Sequence, residues 1–177
     1  MSQALTPPLL RYGYLAGFLI CAALLGAAYY FEIVMYLDPC PLCMVQRLAT
    51  LLIGLSCLLA FVCAEYRWGS RLALALVTAS AIFGYFVADH HIWIQHLPPD
   101  EVPACGPSFE YLIETLPLNE LISIMLHGDG NCAEVNWMFW GMSMPEWTRI
   151  FFACFTIAGL ISLIYTWSRG ERRNQLN

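Results

Sequence analysis

The chain's 177 residues make one domain's worth of polypeptide; 59% are hydrophobic and mean hydropathy is +0.61, more than a water-soluble domain carries. Charge is sparse, with eight Arg, no Lys and thirteen acids giving a net charge of −5. The absence of a basic run excludes nucleic acid as a partner, and the class that remains is membrane protein.

Four stretches are long enough to cross a bilayer as helices, which takes about 20 largely apolar residues. They run roughly over 12–31, 44–63, 72–89 and 147–167. The first is preceded by Arg11 and contains the small-residue run Gly26-Ala27-Ala28, as a secretory signal does. Its apolar stretch exceeds the roughly 7–15 residues of a signal core and three more follow, so it reads as a retained anchor. The short loop 32–43 ends in Asp38-Pro39-Cys40-Pro41. Its prolines keep the chain extended and lack amide donors, so the second helix begins after them, with Pro41 suited to a first turn.

After the third stretch comes the one long polar segment, 90–146. Pro98-Pro99-Asp100 and Val102-Pro103 mark irregular chain before Cys105. Residues 108–127 read as an amphipathic helix interrupted at Pro117: Phe109, Leu112, Ile113 and Leu116, then Leu118, Leu121, Ile122, Met125 and Leu126, recur at helical spacing. Such a face beside a membrane is expected to lie in the bilayer interface. Gly128-Asp129-Gly130-Asn131 reads as a flexible turn that leaves Cys132 mobile and outside any rigid core. The whole is expected to be one membrane domain spanning 1–177, an all-α four-transmembrane-helix bundle with a short and a long loop on the same side.

Orientation follows from the arginines. Arg11, Arg67, Arg71, Arg169, Arg172 and Arg173 fall on one side of a four-span arrangement, leaving only Arg47 and Arg149 near helix starts on the other. The positive-inside rule makes the first side, with both termini, cytoplasmic. Cys40, Cys43, Cys105 and Cys132 then face the oxidising compartment, where disulfides persist. Cys21, Cys57, Cys63 and Cys154 fall within the spans and read as small apolar packing residues.

Cys40 and Cys43 form a CPLC motif at a helix start. The spacing allows the two thiols to close a disulfide, and unpaired amides at a helix N-terminus stabilise a thiolate there, most of all on Cys43, nearer the helix body. Arg47 lies one turn deeper on the same face. An Arg at that depth needs a partner, either the Cys43 thiolate or a carbonyl oxygen of a bound quinone; the alternative is an interfacial, snorkelling side chain. The pair itself can instead be a structural disulfide or half of a zinc site completed by Cys105, Cys132 or histidines. The wide Cys105–Cys132 spacing is unlike a second CxxC, and no metal is expected. A Cys105–Cys132 bond would stabilise the long loop by roughly 3–4 kcal/mol, so a plain staple is the alternative to a redox role for that pair.

Taken together, CPLCMVQR at the start of the second span, a cysteine after a proline-rich strip, and GDGNCAEVNW followed by MPEW before the fourth span resemble the bacterial DsbB disulfide-generating membrane proteins over nearly the whole chain. The resemblance implies a bacterial inner-membrane oxidoreductase that reoxidises a periplasmic DsbA-like protein at the expense of a quinone, ubiquinone or menaquinone. It implies electron transfer from the partner to the Cys105–Cys132 disulfide at Cys105, from Cys132 to Cys40, and from Cys43 to the quinone, with Arg47 polarising a quinone carbonyl. His91, Gln95 and Met144 match family positions near the quinone, and Trp137 matches one in the loop's return. His90 and His96 compete with His91, and Trp137, Trp140 and Trp147 fit an aromatic belt equally well. Pro41 between the cysteines is expected to alter their reduction potential. The alternatives are a vitamin-K-epoxide-reductase-like protein, which places its CxxC late in the bundle, and a membrane adaptor or metal carrier with structural disulfides.

Overall fold

The computed structural model describes residues 8–107 and 109–175. Four helices are long: α1 (Pro8–Ile33), α2 (Pro41–Val62), α3 (Arg67–Gln95) and α6 (Met144–Gln175). Each contains a stretch long and apolar enough to cross a membrane, with hydropathy between 1.8 and 2.0. Between α3 and α6 lie two short helices, α4 (Phe109–Thr115) and α5 (Leu118–His127), a 3-10 turn at Gly130–Ala133, and a hairpin of β1 (Met138–Phe139) and β2 (Met142–Ser143). Ser108, where the amphipathic segment starts in the sequence, lies outside the described residues.

Helix α3 is central, packing on α2 and on α6, while α1 packs on α2. Lipid tails are as apolar as side chains, so close approach of small residues does the work that hydrophobic burial does in water. The core shows this: Cys21, Ala49, Ile53, Cys57, Val77, Ala81 and Ala88 surround one large ring, Phe152. Gly84 lies flat under that ring with no room for a β-carbon, Gly54 faces Cys21, and Gly17 faces the Cys57 sulfur. Cys21 and Cys57 are thus packing residues; Cys63 is half-buried and Cys154 points outward.

Local sequence sets the helix ends that matter. Cys40 is extended (φ −71°, ψ 163°) and Pro41 opens α2, where its missing N–H leaves nothing unpaired. The helix therefore begins three residues before the apolar stretch. Helix α3 outruns its apolar stretch too, because His90, His91 and Gln95 interrupt hydropathy without interrupting the backbone. Pro117, extended at ψ 149°, separates α4 from α5. No residue of α5 is fully buried; Leu118, Ile122 and Leu126 are exposed, and Met125 leans on the bundle. Trp140 (φ 52°) and Gly141 (φ 75°) make the tight turn of the hairpin.

The turn before Cys132 departs from expectation. Gly128 (φ 75°) ends α5 with its α-carbon set against Leu42 and Ile94, too closely for any side chain. The Asp129 carboxylate then accepts from the Gly106 amide (3.1 Å), the Asn131 amide (3.1 Å) and the Asn131 side chain (2.9 Å). Instead of a mobile turn this is a docked one, and Cys132 has no exposed surface.

Candidate functional site

The site sits at the end of the bundle that carries both loops. Cys40 caps α2 and Cys43 follows in its first turn, their sulfurs 2.9 Å apart. Cys132 is buried in the same cluster, with Cys40, Leu42, Val45 and Ile94. The Cys40 thiol is held between the Cys132 and Cys43 sulfurs, which together with burial push its pKa up. The Cys132 thiol donates to the Asp129 carboxylate at 3.8 Å; the neighbouring Cys40, as the largest influence, and the backbone amides of Asp129 and Leu42 lower its pKa despite burial and that carboxylate. Leu42 supplies one of the amides that a helix N-terminus leaves unpaired. The end of α2, expected to favour a thiolate on Cys43, therefore also serves Cys132 from across the loop.

Cys105 is different. It is exposed, and the structure has no bond between it and Cys132. It stays close by, since a β-carbon on Gly130 would meet its amide and sulfur.

His91 is buried (2% exposed) and joins the cysteines to α6. Its Nε2 lies 3.1 Å from the Cys132 carbonyl oxygen and 3.8 Å from the Cys40 sulfur. Its Nδ1 lies 3.1 Å from the Gln46 side-chain nitrogen, and the Thr148 hydroxyl donates to the Gln46 side-chain oxygen at 2.6 Å. The competing histidines point elsewhere: His90 meets the His127 carbonyl and stacks on Trp93, and His96 meets the Ile92 carbonyl. Cys40, Cys43 and His91 bring two sulfurs and a nitrogen within 4.8 Å of one another, a set that can hold a metal ion. The His91 Nε2 that would bind a metal is, however, engaged by the Cys132 carbonyl.

A cavity of about 420 Å³ opens beside Cys43. Arg47, His91, Gln95, Met144 and Trp137 line it, with Leu24, Leu25, Phe31 and Phe151 as apolar walls. Gln95 accepts from the Ser143 hydroxyl at 2.9 Å, and Trp137 is flanked by Phe31 and Phe139. A second, more polar cavity of about 660 Å³ adjoins it on the loop side, lined by Glu32, Asp38, Glu134 and Asn131 among others.

Arg47 has a partner that the sequence did not suggest. Its guanidinium pairs with the Glu32 carboxylate, donates to the Ala28 carbonyl at 3.2 Å and lies over the Tyr29 ring. Arg47 lines the apolar cavity and Glu32 the polar one, so the ion pair stands at the wall between them. Sequence reasoning also passed over Gln46, Thr148 and Asp129. An acid at the end of an apolar span, and a Gln one position before Arg47, were the available signals.

A family model described as "Disulfide bond formation protein DsbB" matches residues 10–162. The chain is 45% identical over 151 residues to "Disulfide bond formation protein B" of Marinobacter nauticus, covering 85% of this chain and 90% of that protein. It is 43% identical over 164 residues to the protein of that name from Methylococcus capsulatus, covering 93% and 98%. It is 40% identical over 142 residues to "Disulfide bond formation protein B 1" of Pseudomonas aeruginosa, covering 80% and 87%.

Proposed function

The chain belongs to the DsbB family of bacterial membrane disulfide bond formation proteins, and from that premise we propose that it reoxidises a periplasmic DsbA-like thiol oxidase and passes the electrons to a membrane quinone. Both termini are then cytoplasmic, in keeping with the arginine distribution, and both loops periplasmic. The observation that carries this reading is the meeting of Cys132 with Cys40 in one buried cluster beside Cys43, which in turn lines the cavity.

Each exchange in the relay balances. A partner thiolate attacks Cys105 in the Cys105–Cys132 disulfide; a mixed disulfide forms and Cys132 leaves as a thiolate. Cys132 attacks Cys40 in the Cys40–Cys43 disulfide, and Cys43 leaves as a thiolate beside the cavity. The partner's second thiol releases Cys105, which attacks Cys132 to restore their disulfide and frees Cys40. Cys40 and Cys43 then re-form their bond as two electrons leave. The surroundings of Cys132 suit the second step, because the nucleophile is the sulfur whose thiolate the Cys40 contact and two backbone amides favour.

The cavity fits a quinone: apolar walls for a ring and its tail, with a guanidinium, an imidazole and a carboxamide lining it along with Cys43. A bound ubiquinone or menaquinone supplies a two-electron, two-proton acceptor. Arg47 is held by Glu32 and Ala28, so its charge is fixed at the cavity wall. In a variant lacking Cys43 and Cys105, Cys40 and Cys132 should join in a disulfide under mild oxidation, seen by peptide mass spectrometry. Their failure to join would sink the second step.

A further inference from the structure

The hydrogen bonds around His91 leave its ring one arrangement. The Cys132 carbonyl, 3.1 Å from Nε2, can only accept, so Nε2 carries a hydrogen. On the other side, the Gln46 side-chain nitrogen lies 3.1 Å from Nδ1, and its oxygen lies 2.6 Å from the Thr148 hydroxyl, which also reaches the Pro145 carbonyl at 3.0 Å. An amide nitrogen only donates, so Nδ1 carries a lone pair. The two contacts agree on a neutral imidazole with its hydrogen on Nε2. The same N–H faces the Cys40 sulfur at 3.8 Å.

We propose that Gln46 is a positioning residue: together with the Cys132 carbonyl it holds His91 in this tautomer, so that the Nε2 hydrogen faces the Cys40–Cys132 junction and stabilises Cys40 when that sulfur leaves as a thiolate. The inference rests on the relay proposed above. The step concerned is the attack of Cys105 on Cys132 within a Cys40–Cys132 bond. The Cys105–Cys132 bond forms, the Cys40–Cys132 bond breaks, and the electron pair goes to the Cys40 sulfur. A thiolate there has the His91 N–H as a donor, and a hydrogen bond to a charged group is the strong kind. With the tautomer reversed, a nitrogen lone pair would face the departing charge.

The test uses purified full-length protein with ¹⁵N-labelled histidine, His91 being assigned by the signal lost in His91→Asn. Nitrogen–proton correlation spectra distinguish the two neutral tautomers and the imidazolium directly. Wild type should show His91 with its hydrogen on Nε2. Gln46→Leu removes the donor and should admit the tautomer with its hydrogen on Nδ1, and Gln46→Glu replaces the donor with an acceptor and should move the hydrogen from Nε2 to Nδ1. Both should also lower kcat for partner reoxidation about 10-fold or more, as loss of one charge-assisted hydrogen bond does, with KM for the partner unchanged. Gln46→Glu is nearly isosteric, so it carries the test if the Leu variant does not insert. An Nε2 hydrogen surviving in Gln46→Glu, in a neutral ring or in an imidazolium, would overturn the proposal, as would its loss with undiminished kcat. If wild type itself does not pass electrons to quinone, the relay fails, and the spectra still report whether Gln46 sets the ring.

Discussion

Cys105 and Cys132 belong to one loop, yet their surroundings are opposite. Around Cys105 the chain is proline-rich and open, and the thiol is exposed. Around Cys132 a glycine α-carbon fits between Leu42 and Ile94, a carboxylate gathers three N–H donors, and the sulfur is sealed beside Cys40. A loop fixed at one end and open at the other can offer one cysteine to a soluble protein while keeping its companion within reach of the membrane-bound pair. The contrast separates contact with the partner from transfer within the bundle.

The largest expected effect lies at the inner end. Cys43→Ser should abolish quinone reduction while leaving membrane insertion intact, measured as quinol formed in the presence of reduced partner; undiminished turnover would remove the relay. At the outer end, Cys105→Ser should abolish the trapped mixed disulfide with the partner, and its persistence would assign the receiving role to another cysteine.

The contrast in burial can be measured directly. In reduced variants that retain only Cys105 or only Cys132 of the four loop cysteines, a water-soluble alkylating agent should modify Cys105 about 100-fold faster, the factor that a local opening of roughly 3 kcal/mol imposes. Equal rates would mean that the docked turn opens freely. Asp129→Ala should then narrow the gap about tenfold. It strands the Gly106 and Asn131 donors, a loss of roughly 1–3 kcal/mol, and should speed labelling of Cys132 while leaving Cys105 as it was. The smallest effect on this contrast belongs to Gly84→Ala. Its methyl would meet the Phe152 ring and should cost the bundle about 1–3 kcal/mol, read as a lower Tm, with the labelling ratio unchanged. A shift in that ratio would tie the loop to the bundle's core.

What the sequence revealed and what it hid follow from the range of the interactions involved. Apolar length marked all four long helices, because a spanning helix satisfies its own backbone and needs no distant partner to be recognised. Pro117 marked the break between α4 and α5, and Pro41 the start of α2, since proline acts on its own neighbours. The docking of Cys132 was hidden because a glycine-rich stretch specifies freedom of φ but not what lies against the α-carbon. Only the approach of Leu42 and Ile94, far off in the chain, turns that freedom into a tight fit. The Arg47–Glu32 pair and the Gln46–His91–Cys132 chain were hidden for the same reason, each joining residues of different elements. CxxCxxxR pointed to the centre of the site, while its supporting contacts came from packing.

The central claim is that electrons taken from a soluble thiol protein leave through Cys43 to a quinone. The most direct test gives the purified protein reduced DsbA-like partner and an excess of ubiquinone or menaquinone, and follows partner disulfide and quinol together. One quinol should form for each partner disulfide, over many turnovers. Partner oxidation without matching quinol, or no partner oxidation at all, would contradict it.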